Sequence, residues 1–451
     1  MDIIRNESVS HLKYKSNQLM RSMLSPFCGV NQEIGYVSRT SGDMRLMVGS
    51  AALTGVHVLF NRPNPGRGAY HIGGTGILPN ESMIRILGES IERYAQLMSD
   101  FNFSSKLKYM RYEDLFKSGE NVLDPRYVRL YSEKQLLRSD FPFQGLSESS
   151  QMSWIKMLST YDQSCMWIPA QMVLVGYNVR KEEGEPWITS AVTTGTAAHV
   201  SYSLAFKAAL LELIQLDTVM GHWYSGWKAY EIEMDARLSS LATLIKRYES
   251  NSHHRYIFYY IPNPDLAGFT IACVYLQESG VPKIVIGLGA DVSLENAMYK
   301  AFLETVASVG LARMVVFKGK HEIDKHDTPI VPESLYDLDR NVEYYGAGNN
   351  IRRVEERFLN MSKIKASDLP EDMVCDSASQ LKKLVASFKN SNKQLYYLDL
   401  TGIEEKALGF NVVRVWSPDT LGLCLPAAPQ VIHPRFNDFG GVKHEDPHPY
   451  P

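Results

Sequence analysis

Apolar residues recur at helical spacing in three long stretches of the chain. In the first, Met83, Ile84, Leu87, Ile91, Tyr94 and Met98 trace one face, which predicts an amphipathic helix over about residues 80–98. In the second, Leu204, Ala208, Leu210, Leu211, Leu213 and Ile214 are apolar almost all round, so a helix near 203–222 is expected to be buried. A third helix is predicted near 294–312, with Ala301, Phe302, Leu303 and Val306 among its apolar positions. Aromatic and β-branched runs bounded by turn residues predict strands at 166–177, 186–192, 255–261, 269–277 and 282–288. Towards the end, 395–400, a short helix and 412–416 read as a βαβ unit. Residues 1–24 form a polar lead-in, and 109–160 and 318–333 are charged and turn-rich, expected as surface helices and loops. The class is α+β with a mixed sheet.

Composition narrows the partners more than the fold. A chain of 451 residues with 45% hydrophobic content can bury sizeable cores. A net charge of −3 leaves no basic field for nucleic acid or an anionic membrane. No apolar run is long enough to span a bilayer, and no signal peptide is recognisable. The cysteines (Cys28, Cys165, Cys273, Cys375, Cys424) are scattered without a CxxC, so neither a disulfide framework nor a zinc site is expected, and the expected location is the reduced cytoplasm.

Chemistry concentrates on the three helices. A glycine-rich turn leads into each: Gly73-Gly74-Thr75-Gly76, Thr194-Gly195 and Gly287-Leu288-Gly289, which suggests an internal repeat. Glu89, Glu92 and Arg93 share one side of the first helix, with Arg85 one turn back. Glu212 and Gln215 lie within the apolar surface of the second helix, and Glu304 within that of the third. Carboxylates so placed are costly unless paired or metal-bound. Two readings stay open: separate salt bridges to Arg or Lys, or one convergent acidic site holding hydrated Mg²⁺ and nucleotide phosphates. Neither GxxxxGK[ST] nor a complete GxGxxG is present. The chain finishes Asp446-Pro447-His448-Pro449-Tyr450-Pro451, a stiff rod advancing about 3.1 Å per residue.

These residues resemble a known family. Glu89-Ser90-Ile91-Glu92-Arg93-Tyr94 resembles the ExxER helix of the YcaO family, and Thr194-Gly195-Thr196-Ala197-Ala198 through Glu212 to Asp217 its second motif. Ala301-Phe302-Leu303-Glu304 is similar to its third helix, and Ser25 to Val30, Ile168-Pro169-Ala170 and Asp399 through Val415 to its opening, a middle strand and its C-terminal βαβ. Gly74-Thr75-Gly76 stands where the family carries Gly-Lys-Gly, and Arg85 where it carries serine. The alternating-proline ending is similar to that of the azoline-forming cyclodehydratases of thiazole/oxazole-modified peptide biosynthesis. The resemblance implies one YcaO-type domain over 25–451, an α+β fold with a mixed, antiparallel-rich sheet and long helices lining an ATP cleft. It implies ATP and Mg²⁺ as cofactors, with Glu89, Glu92 and Glu212 on the metal and Gln215, Arg93, Arg85 and Glu304 around the nucleotide. The Pro451 carboxylate becomes a candidate proton acceptor or substrate positioner, and His448 a second candidate. The implied substrate is Cys, Ser or Thr of a ribosomally made precursor peptide. The implied partners are an E1-like or winged-helix leader-binding protein, an FMN-dependent azoline dehydrogenase and a second copy of the chain. Because the sequence starts almost at the family's first motif, a leader-binding domain within it is not expected. Two alternatives are a thioamide- or amidine-forming enzyme on the same scaffold and a degenerate scaffold subunit.

Overall fold

Three antiparallel-rich sheets and the helices laid across them organise the computed structural model, which describes residues 6–40, 42–60, 71–147, 149–250, 254–322 and 331–450. The lead-in is a helix, α1 (Asn6–Met23). A meander of β1 (Asn31–Tyr36), β2 (Met47–Leu53) and β3 (His71–Gly76) follows, and α2 (Pro79–Phe103) packs across it. Proline suits the start of α2, because a helix leaves its first N–H groups unbonded anyway.

The second sheet runs β4 (Lys108–Arg111), β5 (Gln151–Ser159), β13 (Tyr396–Asp399), β14 (Asn411–Trp416) and β7 (Thr196–His199), with β6 (Cys165–Pro169) also paired to β5. The buried helix α3 (Tyr202–Ser225) lies against it, burying Leu213 and Ile214 with Val413 and Val415. The third sheet runs β11 (Ile284–Asp291), β10 (Phe269–Gln277), β9 (His254–Ile261), β8 (Tyr230–Glu233) and β12 (Lys363–Lys365). Among the described strands only β12 pairs in parallel, with β8, so the fold is α+β with a mixed sheet. Helix α4 (Leu294–Glu322) covers this sheet, and α5 (Ser377–Asn390) flanks α3.

Several expectations change. The glycine-rich segments before the first and third helices are strands, not turns. A Cβ on Gly74 would lie 2.7 Å from Ile86 Cγ1, and one on Gly287 would lie 2.2 Å from the Thr305 nitrogen, so these glycines let a helix sit directly on a strand. Both places share one plan, a three-strand meander followed by a helix on its glycine-bearing strand, which gives the suggested repeat a geometry. The expected βαβ unit is instead an antiparallel pair, β13 with β14. The helix between them, Ile403–Ala407, has only 5 residues, whereas a parallel crossover needs a dozen or more in its connection. The strand expected over 166–177 stops at Pro169 and becomes a short helix, Ala170–Val173. Residues 186–192 form neither helix nor strand. The segment 109–160 hides β5, buried at Met152, Trp154, Ile155 and Met157 and therefore lacking the alternation that marks a half-exposed strand. Helix α4 runs on to Glu322, and 323–330 lie outside the described residues.

Candidate functional site

Helices α2, α3 and α4 bring their glutamates into one electrostatic neighbourhood. Glu89 on α2 is raised in part by the charge of Glu304 on α4, and Glu92 by that of Glu212 on α3. Arg93 Nη2 stands 3.6 Å from Glu89 Oε1, and its charge also favours the ionised forms of Glu92 and Glu212. Arg85 pairs with Glu81 at 3.2 Å while favouring ionised Glu304. Tyr299 of α4 donates its hydroxyl proton to Glu81 Oε1 at 3.0 Å and so ties α4 to α2. Gln96 Nε2 reaches both Glu92 Oε1 and the Thr193 carbonyl, 3.5 Å each, linking α2 to the loop that precedes β7.

That loop is shaped by Gly195. Its φ of +77° is the left-handed region that favours glycine, and a Cβ there would lie 2.3 Å from the Val415 carbonyl oxygen. The Gly195 amide also supports Glu212 as a carboxylate. Gly195→Ala is therefore expected to cost about 1–3 kcal/mol from backbone strain and displacement. Chemical denaturation checks it; an unchanged midpoint would mean that the loop relaxes freely.

The carboxylates are walled in by protein yet reachable by water, as in a cleft: the Glu89 side chain is 36% accessible and Glu304 faces open space. Burial is the main cause that pushes Glu89 up to about 7 and Glu212 up to about 8, against partial relief from Arg93 and Arg414. Glu92 is pushed well above the ordinary carboxylate range by burial and then by Glu212, and Glu304 is raised by burial. These folded-state values exceed the unfolded ones, so the folded chain holds protons that the unfolded chain has released. Stability from this cluster must then fall as pH rises through about 7–8. Buried His222, His433 and His448, lowered to about 4, act in the opposite sense only below about 6.5. The melting temperature of the ligand-free chain should therefore fall between about pH 6.5 and 8.5. Glu212→Gln should flatten the slope; a wild-type slope in that variant would assign it to other groups.

One residue of the cleft escaped sequence reasoning. Arg414 on β14 is buried, and its charge acts on Glu92 and Glu212, which in turn limit how far burial lowers it, to about 10. Its Nη1 donates to the Val192 carbonyl at 2.8 Å and to Thr196 Oγ1 at 3.0 Å. The available signal was a charge inside the apolar run Val412-Val413-Arg414-Val415. Gln215 lies half-buried one turn after Glu212. Asp217 turns away from the cleft and binds Arg435, Nη2 to Oδ2 2.6 Å, with both side chains fully buried.

The tail is held in place as far as Tyr450. Trp223 Nε1 donates to the Asp446 carbonyl at 2.9 Å, Tyr345 donates to the Pro447 carbonyl, and Asn341 Nδ2 donates to the Tyr450 carbonyl at 3.1 Å. His448 is fully buried; its Nε2–H donates to the Cys424 carbonyl at 2.8 Å and its ring stacks on Tyr450. The structure thus places His448 as an anchor of the tail. Pro449 and Ser308 line one small cavity, and Ser308 follows Glu304 by a turn of α4. Pro451 lies outside the described residues.

The donor set fits a hard cation with phosphate. Glu89, Glu92, Glu212 and Glu304 offer only oxygen, and Arg93 and Arg414 do not balance their charge. Thr75 Oγ1 is buried without a hydrogen-bond partner, on the same strand face as Gly73, whose absent side chain leaves open space. Among the described residues, no three His, Cys, Asp or Glu groups stand close enough to grip a bare ion together. Spacing of this kind suits an ion that keeps waters and phosphate oxygens in its shell.

Residues 73–421 match the family model described as YcaO cyclodehydratase, ATP- and Mg²⁺-binding. The chain belongs to the YcaO family, whose members depend on ATP and Mg²⁺. It is similar in fold to a heterocyclase solved in complex with substrate and cofactor (TM-score 0.72, 17% identity, 97% of this chain). It spans 57% of that heterocyclase's length and 49% of that of the heterocyclase TruD. YcaO from Methanopyrus kandleri, bound with AMPPCP and Mg²⁺, has a TM-score of 0.60 at 16% identity, with 92% of this chain and 90% of that one covered. A chain of the E. coli microcin synthetase McbBCD complex has a TM-score of 0.60 at 14% identity, with 93% and 96% covered. No curated protein matches the chain. Among the described residues no helix is long and apolar enough to cross a membrane.

Proposed function

We propose that this chain is an ATP-dependent peptide cyclodehydratase that converts Cys, Ser or Thr of a ribosomally made precursor peptide into thiazoline or oxazoline. The observation that carries the reading is the convergence of Glu89, Glu92, Glu212 and Glu304 from three helices into one electrostatic neighbourhood with Arg93 and Arg414. Glu89, Glu92 and Glu212 would hold Mg²⁺, with Gln215 beside them, while Arg93, Arg85 and Arg414 balance phosphate charge. ATP supplies the phosphoryl group that lets the amide oxygen leave as phosphate. The side-chain sulfur or oxygen of the substrate bonds to the preceding carbonyl carbon, the carbon–oxygen bond breaks, and the substrate N–H and side-chain protons are given up. An E1-like or winged-helix protein would present the leader, and an FMN-dependent dehydrogenase would oxidise the azoline.

The purified chain with ATP, Mg²⁺ and a candidate precursor, with and without its partner proteins, should yield peptide lighter by one water per modified residue in mass spectrometry. Replacement of oxygen by sulfur would point to thioamide formation instead. ATP-independent support of a second YcaO subunit, with no product from this chain under any pairing, would make it a scaffold.

A further inference from the structure

A segment outside every sheet lies between an open groove and the acidic cluster. Ile188 lines an open groove of about 590 Å³, with Tyr131, Leu136 and Leu146 among its other walls. The next residue, Thr189, begins the wall of a narrower cavity of about 60 Å³, which continues along Ser190, Ala191 and Val192 to Thr194 and Arg414. Leu130 borders both spaces. Groove and cavity are therefore consecutive along one stretch of backbone, and the inner end is the arginine whose charge acts on Glu92 and Glu212.

The ends of this segment are tied down and its middle is not. The Ile188 N–H donates to Gln171 Oε1 at 3.0 Å, and the Val192 carbonyl accepts from Arg414. Among the described residues, the backbone N–H and C=O groups of Ser190 and Ala191 have no hydrogen-bond partner. Unpaired extended backbone is a template for another strand, and main-chain pairing binds a peptide whatever its sequence. Side-chain choice is left to the walls. Among the described residues lining the narrow cavity, Arg414 is the only charged one, and buried His433, lowered to about 4, is neutral at pH 7. Its volume holds about two waters at ~30 Å³ each, which is the room of one small side chain.

We infer that residues 188–192 are the edge on which an extended stretch of substrate peptide is laid. The narrow cavity takes a small uncharged side chain next to the reacting residue and, with Arg414 in its wall, excludes cationic ones. This rests on the reading of the chain as a peptide-modifying enzyme and names the peptide path of that site.

Hydrogen–deuterium exchange of the full chain tests it, with Mg²⁺ and a non-hydrolysable ATP analogue present throughout. A capped Gly-Gly-Cys-Gly-Gly peptide at millimolar concentration is expected to slow exchange of the 189–192 amides at least about 10-fold through strand pairing. A capped Gly-Lys-Cys-Lys-Gly peptide, repelled by Arg414, should leave them unchanged. Gly422→Leu fills the cavity where an added Cβ meets only Thr194 Oγ1, at 4.0 Å, and should abolish the peptide effect. Protection by the nucleotide around Gly73–Glu92 reports that the fold and the nucleotide reading are intact in each sample. With that protection present, unchanged exchange at 189–192, or equal protection by both peptides, overturns the peptide path alone. Loss of nucleotide protection in the unmodified chain would overturn the functional reading beneath it.

Discussion

Glu92→Gln is expected to lower ATP turnover on the order of 10²-fold or more, the scale of losing one electrostatic contact made in the transition state. The substitution keeps shape and removes only charge. Glu92 lies where the charges of Glu212, Glu89, Arg93 and Arg414 meet, so its carboxylate sets the balance of the whole cleft. With Gln there, the ligand-free cleft carries less like-charge repulsion, and the variant should melt at a higher temperature than the parent at pH 8. Lower activity with higher ligand-free stability is the signature of a binding site whose ligand supplies missing positive charge. A structural ion pair would give the reverse, with stability lost and turnover spared. Steady-state phosphate release and a thermal melt at one pH decide between them, and parental turnover would remove Glu92 from the site.

The largest effect on stability is expected at Arg435, away from the chemistry. Its guanidinium is fully buried and joins Asp217 (2.6 Å), Asp265 (2.8 Å) and Asp438 (2.7 Å). Asp217 also accepts from the Leu421 amide at 2.9 Å, so the cluster ties α3 to the segment following β14. Arg435→Leu leaves Asp217 buried without its counter-charge and should cost about 3–5 kcal/mol. Asp217→Asn with Arg435→Leu should recover part of that, because the remaining amide is far cheaper to bury than a lone carboxylate. Arg352→Ala, at a side chain 86% exposed, should stay within about 0.5 kcal/mol of the parent. Urea midpoints at constant slope measure all three, and an Arg435→Leu midpoint equal to the parent's would show that the cluster is dispensable.

The three site helices were legible because α2 carries a clear apolar stripe and α3 and α4 are long apolar runs, and α2, α3 and α4 begin within a residue or two of their expected starts. The glutamates were legible for the same reason, as acidic residues set in apolar surfaces. Strand identity in 255–261, 269–277 and 282–288 was equally plain from β-branched and aromatic runs, the last strand starting at Ile284. Residues whose role depends on a distant partner were not legible. Nothing local distinguishes Asp217 from Glu212, five positions away on the same helix. One lies at the Arg435 cluster and the other at the cleft only because α3 passes between them. The glycines of β3 and β11 read as turns because a missing side chain is ambiguous until a helix is seen resting on it. The burial of His448, a candidate for chemistry, against the Cys424 carbonyl was not legible, since a tail's packing is invisible without the groove that receives it.

The sequence by itself determined where the three site helices and the strands of 255–288 lie, and that carboxylates would be set in apolar helix faces. Those are short-range matters, decided by side-chain periodicity within about one or two turns. Only the tertiary structure decided that Glu89, Glu92, Glu212 and Glu304 share one cleft, that Arg414 joins them from a strand, and that β13 and β14 run antiparallel. Electrostatic energy depends on distance in space and on the protein that replaces water between charges, and neither can be read from spacing along a chain.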